Sequence, residues 1–357
     1  MGINMERFEN NTVIFRDCAY SNEKLYFFDA INVLPMSLDL KNEKFHILSI
    51  ENINQFRASR FDLQTEWNNC LYAVEMNGEY MCRYELDTGY IKYIKIDCGK
   101  RKDGNYALIE AYNDCIYIFT RFGSVTIYDT RMEKIQHIQA VIEEKEFITG
   151  CRYEDSYYVF SNDASVILEF DTIHSMWKVH NSVDMANQDT QIVQAVCRKN
   201  NIYILFDNAS IIVWEINQNQ KKWINVAKLF YKKEGSVSRI CVTDENIVIL
   251  PSLAEDIVYL DKYNYEVHCI DNYPADFKYD TCKKKWTKYA GYCESDAAYY
   301  FACRTSNYIM EVSKKSGQIY WIKSEIDVEE QFDYDVAHGV MYEKKEYLNL
   351  MLEKMLV

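Results

Sequence analysis

Six histidines, twelve cysteines and fifty-four carboxylates are the side chains of this sequence with chemistry beyond packing. Their spacing excludes most of it. Of His46, His137, His174, His180, His268 and His338, four fall in outer strands or the turns leading to them and read as surface or edge histidines rather than metal ligands, and no Cys-x-x-Cys occurs, so structural zinc is not expected. His-Glu-x-x-His, Gly-x-Ser-x-Gly, a phosphate-cradling glycine loop and a dinucleotide fingerprint are all missing. Cys151, Cys241 and Cys293 share one repeat position on a strand that carries no histidine. A thiol nucleophile needs a nearby base, so these three are expected as buried, unpaired thiols. No catalytic residue, metal ligand or cofactor is assigned.

The charge balance narrows the partners. Lys and Arg total 40, the formal charge is −14, and such a mean field opposes a nonspecific hold on phosphate backbones. The basic runs are short: Lys100-Arg101-Lys102 is followed at once by Asp103, and Lys283 to Lys285 reads as a solvated loop. Nucleic acid is therefore not expected. The start, Met1-Gly2-Ile3-Asn4-Met5-Glu6-Arg7, has no apolar signal region and carries Glu6 where myristoylation needs Ser or Thr. No run of eighteen apolar residues occurs, so no membrane span is expected; the thiols read as reduced and the location as cytoplasmic.

The elements that must position any site are short strands. Leu25-Tyr26-Phe27, Leu71-Tyr72-Ala73, Ile116-Tyr117-Ile118, Tyr157-Tyr158-Val159, Ile202-Tyr203-Ile204, Ile247-Val248-Ile249 and Tyr299-Tyr300-Phe301 recur every 41 to 52 residues, which brackets a four-stranded propeller blade. Eleven residues before each marker stands Phe15, Phe61, Tyr106, Phe147, Ile192, Val237 or Tyr289. Asn-rich or Asp-rich pairs precede the markers, and these residues tolerate the left-handed backbone of tight hairpins. An alternating third strand follows, ending at Asp39, Asp87, Asp129, Asp171, Asn217, Asp261 or Ser313, and a short fourth strand completes each β-meander. Pro35, in the third strand of the first unit, implies an edge or a bulge. The longest interval implies an insertion around Asp271 to Trp286.

The order of these features resembles Kelch-like and WD-repeat-like propellers. Phe170 and Trp177, like Trp214 and Trp223, are similar to the spaced aromatics of a Kelch unit, whereas the double glycine is replaced by Asn162-Asp163 and Asp207-Asn208 and no Trp-Asp ending occurs. No functional residue is carried over. The resulting fold class is all-β: a seven-bladed β-propeller of four-stranded antiparallel blades over residues 1–323, closed without a swapped strand. Residues 324–357 read as an acidic linker and a C-terminal amphipathic helix, with Met341, Leu348, Met351, Leu352 and Met355 at helical spacing. That helix is either a latch on the propeller's side or a docking element for a partner.

A propeller places equivalent residues of successive repeats around one ring. Residues leading into the inner strands and leaving the marker strands should therefore line the mouth of the channel: Arg60, Asn105, Glu146, Gln191 and Lys288 from the first set, Arg121, Asn162, Asp207 and Arg304 from the second. These are the candidate binding residues. Arg60, Arg121, Lys288 and Arg304 would make the rim locally positive and suited to an acidic peptide. A non-catalytic binding or scaffold propeller that presents this rim to a protein or peptide is the leading reading, helped by the abundance of Tyr and Trp. The alternative is a propeller hydrolase, lyase or glycan-processing enzyme working from rim carboxylates such as Glu146 and Asp207, which would have to converge to about 5 to 9 Å to act on a glycosidic bond.

Overall fold

Each repeat folds into one antiparallel sheet whose four strands follow chain order, giving seven sheets in the computed structural model. The structure describes residues 15–29, 34–52, 55–57, 60–76, 78–96, 106–140, 142, 145–181, 190–226, 237–252, 257–270, 272–277, 289–303 and 308–323. No α-helix occurs among them, and the expected C-terminal helix lies outside the described residues. The inner strands are Ala19–Ser21, Phe61–Trp67, Tyr106–Tyr112, Phe147–Tyr153, Ile192–Arg198, Val237–Val242 and Tyr289–Glu294. The marker tripeptides all fall in second strands, from Lys24–Phe28 in blade 1 to Ala298–Cys303 in blade 7.

These second strands are apolar on both faces because both faces are covered by neighbouring sheets. In Cys70–Glu75 all six residues are buried. Seven apolar clusters fill the gaps between successive blades, among them Tyr117, Phe119, Tyr157 and Phe170 between blades 3 and 4. Phe15, Leu25 and Phe27 of blade 1 share a cluster with Tyr300, Ile309 and Ile322 of blade 7, so the ring is closed. No strand is shared across that join, since first and last sheets are each built from consecutive strands.

Six inner strands carry a bulge at their second residue, where pairing with the second strand skips one position, as between Phe147 and Thr149 or Val237 and Arg239. A bulge twists the strand and re-aims the side chains after it. Here it sets the third residue of each inner strand at the inter-blade join beside the channel.

Turn chemistry explains the repeated acidic residues. Asp39, Asp129, Asp171 and Asp261 each accept two backbone N–H groups of the following turn on one carboxylate oxygen, at 2.7 to 3.1 Å. Asn22-Glu23, Asn68-Asn69 and Asn113-Asp114 supply the positive φ of two-residue hairpins between first and second strands. In blades 4 and 5 the hairpin loop lies one residue earlier than the sequence pattern implies, and Glu154 and Lys199 take the left-handed conformation. Pro35 forms no bulge: it opens its strand opposite Phe28, and its carbonyl accepts the Leu48 N–H at 2.9 Å, so its missing donor is not needed. Phe170 and Trp177 are direct cross-strand partners with ring centroids 5.0 Å apart, whereas Trp223 pairs with Ile212 and leans on Phe206.

Backbone hydrogen bonds hold the carboxyl of Asp39 and of Asp261 below the ordinary value of 3.8, and the His174 side chain with backbone bonds does so for Asp171. A lowered folded value means that this stabilisation is complete above the unfolded value and fades as pH falls through the folded one. Urea unfolding from pH 7 down to pH 2 should show a smaller acid-induced loss when Asp39, Asp171 and Asp261 are all replaced by Asn. An unchanged pH profile would mean that these turns make no ionisation-linked contribution.

Candidate functional site

The inner strands of the seven blades surround a central channel of about 490 Å³, a size usual for a small-ligand pocket. Its wall has two characters. At the third position of the inner strand, blades 2 and 3 place Leu63 and Leu108, while blades 4, 5 and 6 place Thr149, Gln194 and Arg239; in blade 1 Asp17, two residues before the strand, lines the same channel. Blade 7 has Gly291 at the third position, and an added Cβ would stand 2.6 Å from the Phe15 carbonyl oxygen and 2.7 Å from its ring. The missing side chain is what lets the last blade close against the first.

Most of the polar side chains on this level act between blades. The Gln64 N–H donates to Asp17 Oδ2 at 2.8 Å, the Ala195 N–H to Thr149 Oγ1 at 3.2 Å, and the Ile240 N–H to Gln194 Oε1 at 2.8 Å. In each case one blade supplies an acceptor to the inner strand of the next, satisfying an amide that its own sheet leaves over. Gln64 ties the same join further, accepting from the Phe28 N–H at 3.2 Å and donating to the Asp17 carbonyl.

Charges lie at both ends of the channel. Arg16 meets Asp62 at 3.0 Å across blades 1 and 2, and Arg152 meets Glu110 at 2.6 Å across blades 4 and 3, with its guanidinium over the Tyr112 ring. Burial raises the Glu110 carboxyl above its usual range, opposed by Arg152. Burial likewise lowers Arg239, opposed by Asp17. The Asp17 carboxyl is pushed up to about 8 by enclosure, against the backbone bonds from Gln64 and Cys18 and the field of Arg239. A carboxyl titrating near neutrality suits acid–base work. However, its two oxygens are already engaged by the Cys18 N–H at 3.0 Å and the Gln64 N–H, which makes Asp17 a structural acceptor at the join.

Of the rim residues read from the sequence, Asn105, Lys288 and Arg304 lie outside the described residues. The others lie where inner strands begin or marker strands end, and none of them is among the residues that line the channel. From blade 3 to blade 5 they form one hydrogen-bonded arc: Phe147 N–H to the Arg121 carbonyl at 2.8 Å, Asn162 N–H to Glu146 at 2.7 Å, Ile192 N–H to Asn162 at 2.9 Å, and Asp207 N–H to Gln191 at 2.9 Å. Arg60 accepts the Met76 N–H in the same way in blade 2. Arg121 pairs with Glu146 at 3.0 Å and Lys145 with Asp163 at 2.6 Å, so the positive charge of this arc is matched locally. Asp207 accepts the Gln191 N–H at 3.2 Å. Both carboxylates of the enzymatic alternative therefore have partners.

Cys151, Cys241 and Cys293 are buried and free, and burial raises all three thiols. Among the described residues no group of three metal-ligating side chains occurs. The channel residues Asp17, Thr149, Gln194 and Arg239 were not singled out by sequence reading. For Thr149, Gln194 and Arg239 the signal was a polar residue at the third inner-strand position, where three other blades carry Leu or Gly.

No family model and no curated protein sequence matches the chain. Solved structures share its fold at low identity. Virginiamycin B lyase from Staphylococcus aureus, a catalytically inactive variant with quinupristin, is 13% identical and has a TM-score of 0.63 over 85% of this chain and 95% of that one. YCF48 bound to D1 peptide is 10% identical, with a TM-score of 0.62 over 85% and 92%. A chain of the mitotic checkpoint complex is 10% identical, with a TM-score of 0.60 over 86% and 93%. The seven-bladed propeller is thus a fold shared with a lyase and with proteins that bind peptides or proteins.

Asp17 provides a direct test of the channel. Its unfolded carboxyl ionises near 3.8 while the folded one keeps its proton to about 8, so stability should fall as pH rises between these values. Asp17→Asn should remove that slope in urea titrations at pH 5 and pH 8. Asp17→Ala should cost about 1–3 kcal/mol at either pH by leaving the inter-blade N–H of Gln64 without its acceptor. Equal pH slopes in wild type and Asp17→Asn would contradict the assignment.

Proposed function

We propose that this propeller is a non-catalytic binding or scaffold protein that offers the channel mouth, chiefly the arc of blades 3 to 5, to a peptide or protein partner. The carrying observation is the arc itself. Backbone bonds alternate from the residue leaving one marker strand to the start of the next inner strand, so Arg121, Glu146, Asn162, Gln191 and Asp207 sit on one preorganised frame. A rigid frame lowers the ordering cost of binding. Polar side chains on such a frame, beside a channel wide enough to admit a partner's side chain, suit recognition of an extended segment.

The peptide-bound and protein-bound neighbours support this reading, and the lyase keeps the enzymatic alternative in play as an outcome of the test. An acidic preference of the partner rests on Arg60 and on Arg121, whose pairing with Glu146 would have to open for the guanidinium to meet an incoming carboxylate. A cytoplasmic location is part of the same proposal, supported by buried thiols such as Cys151, Cys241 and Cys293, which form no disulfide. The aromatic cross-strand pair of blade 4 supports kinship with Kelch-like repeats.

Selection of peptides from a displayed library on the immobilised protein should yield binders whose affinity drops about tenfold or more on Arg60→Glu or Arg121→Glu. The same binders should be indifferent to Ile173→Ser on the outer edge of blade 4, where the side chain is exposed. Binders that are insensitive to the rim changes, or selected peptides that are cleaved or rearranged by the protein, would overturn the binding reading.

A further inference from the structure

The join between blades 7 and 1 contains a feature that binding does not use. Tyr20 stacks on Tyr300 with ring centroids 6.4 Å apart, Phe15 covers Gly291, and Cys18 and Cys293 share the apolar cluster of this join, with their side chains in hydrogen-bond contact. Cys18 immediately precedes the inner strand of the first blade and Cys293 lies near the end of that of the last; they are 4% and 5% exposed. Both also lie on the channel wall. Burial raises both thiols, and the side-chain hydrogen bond they share raises Cys18 further while lowering Cys293. Burial holds both thiols up, so the pair is quiet toward bulky reagents and open only to an oxidant small enough to enter the channel.

We infer that Cys18 and Cys293 are a modification site, in which a small peroxide entering the channel converts the thiol pair into a reversible disulfide that locks the propeller ring. The chemistry balances on the two residues and the peroxide. The Cys293 thiolate attacks one peroxide oxygen, the O–O bond breaks, and Cys293 becomes a sulfenic acid while hydroxide leaves and takes up a proton as water. The Cys18 sulfur, losing its proton, attacks the Cys293 sulfur and expels a second water. Two thiols and one hydrogen peroxide thus give one disulfide and two waters, the sulfurs losing the two electrons that the O–O bond gains.

The consequence follows from topology. Every other blade is joined to the next in the chain by a covalent connection, and the join between last and first has none. A bond from residue 18 to residue 293 closes a loop that spans nearly the whole ring, and cross-links that close long loops restrict the unfolded chain most. The oxidised ring should therefore open and unfold more slowly.

The test uses the native full chain treated with hydrogen peroxide, quenched by alkylation and mapped by mass spectrometry without reduction. The expected result is a Cys18 peptide joined to a Cys293 peptide, lighter by two hydrogens and released by dithiothreitol. Cys18→Ser should leave Cys293 as a sulfenic acid that dimedone traps, and Cys293→Ser should leave Cys18 as a thiol. Unfolding in guanidinium should slow about tenfold or more on oxidation of wild type and not of either variant. Oxidation confined to other cysteines, or a Cys18–Cys293 link formed as fast in the urea-unfolded chain, would overturn the inference. The mapping on wild type decides the question even if a variant fails to fold.

Discussion

A ring of seven sheets that shares no strand across its join depends on side-chain packing between the last blade and the first. Backbone pairing inside each sheet is complete by the fourth strand and adds nothing to closure. What closes the ring is the cluster of Phe15, Leu25, Phe27, Tyr300, Ile309 and Ile322, together with a glycine placed where any side chain would strike Phe15. Each large apolar side chain buried there contributes about 1.5–3 kcal/mol, so a few residues can hold the join against the entropy of opening. The remaining six gaps are filled by the same kind of cluster, and the join differs only in lacking a covalent connection.

Closure also determines how polar groups in the channel are used. Inner strands are the channel-side edges of their sheets, and the amides they leave over would be unsatisfied or wet. Asp17, Thr149 and Gln194 meet them from the preceding blade, so the residues that look most like site chemistry hold the frame together. The Asp17 carboxyl shows the cost, since enclosure raises it to about 8 even while two amides favour its anion. In the arc of blades 3 to 5 the bonds that run from one residue to the next are made by backbone, with the side chains of Arg121 and Glu146 paired to each other across it.

Much of the fold could be read from the sequence because its signals are local. Apolar-Tyr-apolar tripeptides mark strands covered on both faces, and an Asp at the end of the third strand marks a turn whose two amides it accepts. The channel was not legible for a physical reason. The bulge at the second inner-strand residue shifts the alternation by one, so a period-of-two reading assigns Thr149, Gln194 and Arg239 to the wrong face. Arg121 and Glu146 were each visible as rim residues, but their pairing crosses from one blade to the next and depends on three-dimensional closure. Pro35 was misread because its position at the start of the strand, where no donor is required, is fixed by register with Phe28.

The most direct test of the account is hydrogen exchange of the Gly291→Ala protein. An added methyl at this position meets Phe15 backbone at 2.6 Å, and overpacking of that kind costs about 1–3 kcal/mol. If side-chain packing alone closes the ring, amides of Ala19–Ser21 and Tyr289–Glu294 should exchange faster in the variant while those of Phe147–Tyr153, across the ring in blade 4, keep their rates. Unchanged exchange at both strands, or equal acceleration throughout all seven blades, would contradict a join held by Phe15 against Gly291.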